Sequence, residues 1–65
     1  VAQFKLTVDL DNAVFSDQYD GIELSRILRM VADKIEDNGI PWMYQNIKDI
    51  NGNIVGKYAK IYGAK

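Results

Sequence analysis

Residues 20–39 read DGIELSRILRMVADKIEDNG, and the reading of this stretch decides the fold. Asp20 offers a carboxylate to the first free backbone N–H groups, and Glu23 follows three residues later, at the spacing of a capping box. Leu24, Ile27, Leu28, Val31 and Ile35 recur at steps of three, one, three and four, so they form one apolar stripe along a helix. Glu23, Arg26, Arg29, Asp33, Glu36 and Asp37 fall on the other side, with Arg29 and Asp33 spaced as an i,i+4 ion pair. Asn38-Gly39 ends the run because glycine takes a left-handed conformation at little cost. Ile40 is then placed to press on Ile35, and Pro41 forbids continuation. The pattern predicts a helix of about five turns with one face to bury.

Upstream, Phe4, Leu6, Val8 and Leu10 alternate with Lys5, Thr7 and Asp9, the pattern of a half-buried strand. The connection DNAVFSDQY, residues 11–19, is polar and acidic. Val14 or Phe15 can tuck under the helix start as a staple would, or the loop can present Phe15 to a partner. Downstream, two strand-like runs, Trp42 to Ile50 and Asn53 to Tyr62, flank Asn51-Gly52, the strongest short hairpin signal. A two-residue turn would pair Ile50 with Asn53. A type I turn over Asp49–Gly52, with Gly52 as a bulge residue, would pair Asp49 with Asn53. The second suits Asp at the first turn position and Gly at the fourth.

That register sets Ile47 opposite Val55 and Tyr44 opposite Tyr58. It turns Met43, Ile47, Val55, Ala59 and Ile61 toward the helix, and Trp42, Tyr44, Tyr58 and Tyr62 away from it, with Asn46, Lys48, Ile54 and Lys60 among them. Gly56, inside a strand, marks a bend or a close backbone approach. The expected architecture is a single α+β domain over residues 1–65. It is a β-α-β-β chain, with one helix on a three-stranded antiparallel sheet of order 1-3-2 and a right-handed crossover.

The 65 residues include no cysteine and no histidine, which removes disulfides, thiolate chemistry, Cys/His zinc sites and His-based catalysis. Asp9-Leu-Asp11-Asn12 and Asp49-Ile-Asn51-Gly-Asn53 both start like calcium loops. The first has Ala13 at its third oxygen position and no glycine at the sixth. The second has Ile54 at its sixth position and Lys60 at its twelfth. The cluster Asp9, Asp11, Asp17 and Asp20 reads as solvated loop chemistry. No metal, no cofactor and no catalytic residue is expected. A single helix on three strands offers little of the cleft that paired carboxylates would need, and no Gly-rich phosphate loop appears. No signal peptide, membrane-spanning run or lipidation motif is visible, so a cytoplasmic location is expected.

Charge is unevenly placed. Residues 1–39 hold four cations against eight carboxylates, −4, and residues 40–65 hold four lysines against Asp49 alone, +3, which together make the net −1. One helix covers only one face of a sheet, so the other face, with Trp42, Tyr44, Lys48, Tyr58, Lys60 and Tyr62, is the candidate binding or interface surface. Three occupants suit it: a second copy in a homodimer or higher homo-oligomer, a protein partner, or a nucleic acid or nucleotide stacked on the aromatic rings. Mild overall acidity weighs against nucleic acid. The outer strands of the 1-3-2 sheet are edges and give a second route to assembly. The expected function is a small non-enzymatic interaction module that self-associates and binds a macromolecular partner. The alternative is a nucleic-acid or nucleotide-binding module using the aromatic and lysine face.

FKLTVDLDN leading to a helix of ILRMVADKIEDNG character, closed by a DINGNIVGKY hairpin, resembles short bacteriophage- and prophage-encoded proteins, a family with no agreed function. The resemblance covers most of the chain and implies a phage or mobile-element context, with a host or defence component as the kind of partner such proteins bind. It carries over no catalytic residue.

Overall fold

The computed structural model describes residues 1–11, 15 and 19–63. The element order is β1 (Ala2–Val8), α1 (Asp20–Asn38), β2 (Gln45–Lys48) and β3 (Ile54–Tyr62). The strands form one antiparallel sheet in the order β1-β3-β2, the α+β arrangement expected from the sequence. Among the described residues, no helix is long and apolar enough to cross a membrane.

The helix buries Glu23, Ile27 and Val31, each one turn from the next, with Leu24 and Ile35 packed at the margin. Leu28, expected in the stripe, is exposed. Its start also differs from the capping box. Tyr19 is the N-cap and makes no side-chain capping bond, while Asp20, already in the first turn, accepts the N–H of Gly21 at 2.6 Å. At the other end Gly39 has φ 81° with an extended ψ of 178°, a conformation open to glycine, and its N–H donates to Ile35 C=O at 2.7 Å. Ile40 is exposed rather than pressed on Ile35.

The hairpin turn forms as the residue types dictate. Gly52 N–H donates to Asp49 C=O at 3.0 Å, Gly52 has φ 86°, and Asp49 N–H donates to Asn53 C=O at 2.8 Å, so Asp49 faces Asn53. Beyond this point the register departs from the expectation. Lys48 pairs with Ile54 but Ile47 pairs with Gly56, leaving Val55 as an extra residue in a β-bulge. Gln45, rather than Tyr44, therefore lies opposite Tyr58.

A one-residue slip reverses the side-chain alternation of a strand, and here it reverses β3 beyond the bulge. Tyr58 turns inward and is only 5 % exposed. It joins Phe15, Ile27, Val31, Ile47 and Val55 in the core, with Leu6 and Val8 against them. Ala59, expected against the helix, is buried outside that cluster and pairs with Lys5, so it lies on the open side of the sheet. Ile61, two residues on, shares that side. Met43, also expected inside, is exposed.

Gly56 marks a close approach to β1. A Cβ there would collide with the carbonyl oxygen of Thr7, so β1 and β3 meet at a distance that only glycine permits. Phe15 is buried in the core, as the staple reading required, and is not presented to solvent. Val14, Asn12, Ala13 and Asp17 lie outside the described residues.

Candidate functional site

The six residues expected on one face are dispersed by the bulge. Tyr44 and Lys48 are on the open side of the sheet, Tyr44 lying beneath the ammonium of Lys57, whose Nζ is 4.5 Å from the ring centroid. Lys57 pairs with Thr7 and Asn46, which fixes it on that side. Tyr58, Lys60 and Tyr62 are on the helix side. Tyr58 is buried, Lys60 is half-buried opposite Phe4, and Tyr62 is exposed opposite Ala2. Trp42 belongs to neither face and sits in the connection before β2. The aromatic face as drawn from the sequence does not exist, because Tyr58 fills the core and the Tyr44 ring carries a cation–π contact.

Two other arrangements take its place. The first is polar and closed. Glu23 is buried and bound side-on by Arg26, whose Nε donates to Oε1 and Nη2 to Oε2, each at 2.8 Å. Glu23 Oε2 also accepts the N–H of Ile50 at 3.0 Å, which ties the helix start to the hairpin turn. Asp49, equally buried, accepts the N–H groups of Asn51 at 2.9 Å and Asn53 at 2.8 Å through Oδ1, and the Asn53 amide at 3.3 Å through Oδ2.

The hydrogen bond from Arg26 holds the Glu23 carboxyl below its ordinary pKa, against the opposing effect of burial and with help from Ile50 N–H. At Asp49 burial pushes the pKa upward, but the bonds from Asn53 and Asn51 together outweigh it and the net shift is downward. Both groups are held as anions, so they serve the fold as acceptors and not as proton donors. Among the described residues no buried side-chain nitrogen or oxygen lacks a partner, and no cluster of metal-ligating side chains forms.

The second arrangement is apolar and open. Gly39 turns the chain out of the helix, Pro41 fixes its direction, and Pro41 C=O accepts Lys60 N–H at 2.6 Å, which anchors this segment to β3. The chain then presents Trp42, Met43 and Tyr44 in succession, 78 %, 73 % and 48 % exposed, with Ile40 also at the surface. Beside them lies a cleft of ≈ 520 Å³. Pro41, Trp42, Met43 and Tyr58 supply its apolar wall, and Lys34, Asn38 and Gln45 its polar groups. More of the surface lining the cleft is polar than apolar, so it offers a partner's side chains hydrogen-bonding groups as well as apolar contact.

The sequence held a signal for this corner. Three consecutive large apolar residues directly after Gly39-Ile-Pro41 fit neither a helical nor an alternating pattern, and such an exposed run is unfavourable unless it has a use. The sequence held one for Glu23 too: it stands four residues before Ile27, as Ile27 stands four before Val31, so the helical period places it on the buried stripe. Comparison with family models, with curated proteins and with solved structures found no match to this chain.

Proposed function

We propose that this chain is a non-enzymatic interaction module that engages a protein partner through the Ile40–Tyr44 corner and its cleft. The observation that carries the reading is the consecutive exposure of Trp42, Met43 and Tyr44 on a segment fixed at both ends. Trp, Met and Tyr are enriched at interfaces because they combine large area with adaptable packing or a polar handle. The phage-like pattern of the chain makes a host or defence protein the kind of partner to seek.

Site-resolved photo-crosslinking in a cell that makes the protein tests this. A benzophenone side chain at position 42 should give one discrete protein adduct, and the same group at position 57, on the open sheet face, should give none. Adducts at 57 but not at 42 would overturn the reading.

A different observation favours a second reading, nucleic acid on the sheet. The three strands hold Lys5, Lys48, Lys57 and Lys60 and not one carboxylate, all but Lys60 on the open side, while the helix holds Asp20, Glu23, Asp33, Glu36 and Asp37 against three cations. Labelled single-stranded oligonucleotide, titrated at low salt and again at physiological salt, distinguishes it. Binding that weakens steeply with salt supports phosphate contacts, and no binding at low salt removes them.

A further inference from the structure

The outer edge of β1 is built to pair. Gly63 N–H donates to Val1 C=O and Asp9 N–H to Val55 C=O, so the odd-numbered residues of β1 spend their backbone groups on β3. Alternation then points the N–H and C=O groups of Ala2, Phe4, Leu6 and Val8 outward, and no other strand among the described residues meets them. Edge strands are normally guarded by shortness, proline, bulges or inward charges. The other edge, β2, has four residues, whereas β1 has seven, with no proline, no bulge and the single charge of Lys5.

We propose that β1 pairs antiparallel with β1 of a second copy, joining two sheets into one of six strands with both helices on the same face. Charge rules out the register centred on Lys5. A two-fold axis at Lys5 would set Lys5 against its own copy in the close, non-hydrogen-bonded position, where like charges repel. An axis at Leu6 sets Leu6 against Leu6, Lys5 against Thr7 and Phe4 against Val8. Phe4 is 46 % exposed in the single chain, and its ring leans on Tyr58 with centroids 6.2 Å apart. Against Val8 of the second copy its free side is covered. The contact is isologous and closes on itself, so it gives a dimer rather than a filament. It uses a different surface from the Trp42 corner, and either can fail without the other.

Sedimentation at micromolar concentration should give twice the 7.4 kDa chain mass. Phe4→Pro removes an N–H that the single chain does not use, so it should keep the circular dichroism of the folded protein while the dimer weakens by roughly tenfold or more. Phe4→Leu, which retains the N–H, should still dimerise. A wild-type chain that stays monomeric overturns the proposal, as does a folded Phe4→Pro chain that dimerises unchanged. Should Phe4→Pro unfold, isotope-filtered NMR on the mixed wild-type dimer decides. Contacts between Phe4 of one copy and Val8 of the other support the pairing, and contacts confined to any other surface overturn it.

Discussion

At the turn end of the β2–β3 hairpin, Glu23 and Arg26 satisfy one another and, with Asp49, the turn backbone, whereas the opposite end, from Ile40 to Tyr44, holds large apolar side chains out in solvent. Residue type alone would assign these ends the other way round. What separates them is how the backbone is engaged. The turn needs acceptors for the N–H groups of Ile50, Asn51 and Asn53, and buried carboxylates supply them. The Ile40–Tyr44 segment is held by Gly39, Pro41 and the bond to Lys60, so its side chains are not needed to keep it in place. The closed end serves stability, and the open end is the surface proposed for recognition.

The sharpest way to break this contrast is Gly56→Ala. Its Cβ meets the backbone of Thr7, which no rotamer can move, so β1 and β3 must part where Val8 pairs with Gly56. A cost of about 3 kcal/mol or more is expected, enough to unfold a domain of this size, and chemical denaturation would measure it. Glu23→Ala strands Arg26 and the Ile50 N–H together, and should cost about 1–2 kcal/mol in the same assay.

Acid acts on the same groups with a sign that follows from their pKa shifts. Glu23 and Asp49 are both lowered in the folded chain, so their contribution is complete above the unfolded values of about 4. It is lost as pH falls through the lower folded values. The melting temperature should therefore decline below about pH 4, and the decline should be shallower in Glu23→Gln, which no longer titrates. At the open end the smallest effect is expected. Trp42→Ala and Met43→Ser should each change stability by no more than about 0.5 kcal/mol, and Met43→Ser, in a chain carrying the benzophenone at position 42, should remove the adduct.

What could be read from the sequence was what is local. The helix, the three strands and the turn at Asp49 each follow from residues near one another in the chain, and the 1-3-2 order from the way these elements connect. The sides of β3 did not, because they depend on how β3 pairs with β1 and β2 together, and β1 is far away in sequence. One extra residue at Val55 was enough to send Tyr58 into the core and scatter the expected aromatic face. Trp42 is a site residue on the sequence reading too, but of its expected companions only Tyr58 lines the same cleft. Met43, placed in the core by the unslipped register, turned out to be its neighbour at the surface.

Amide hydrogen exchange, read residue by residue, tests the contrast most directly. The N–H groups of Ile50, Asn51 and Asn53, bound to Glu23 and Asp49, should exchange roughly a hundredfold or more slower than those of Trp42 and Met43. Turn amides that exchange as fast as those of Trp42 and Met43 would contradict a closed end and an open one.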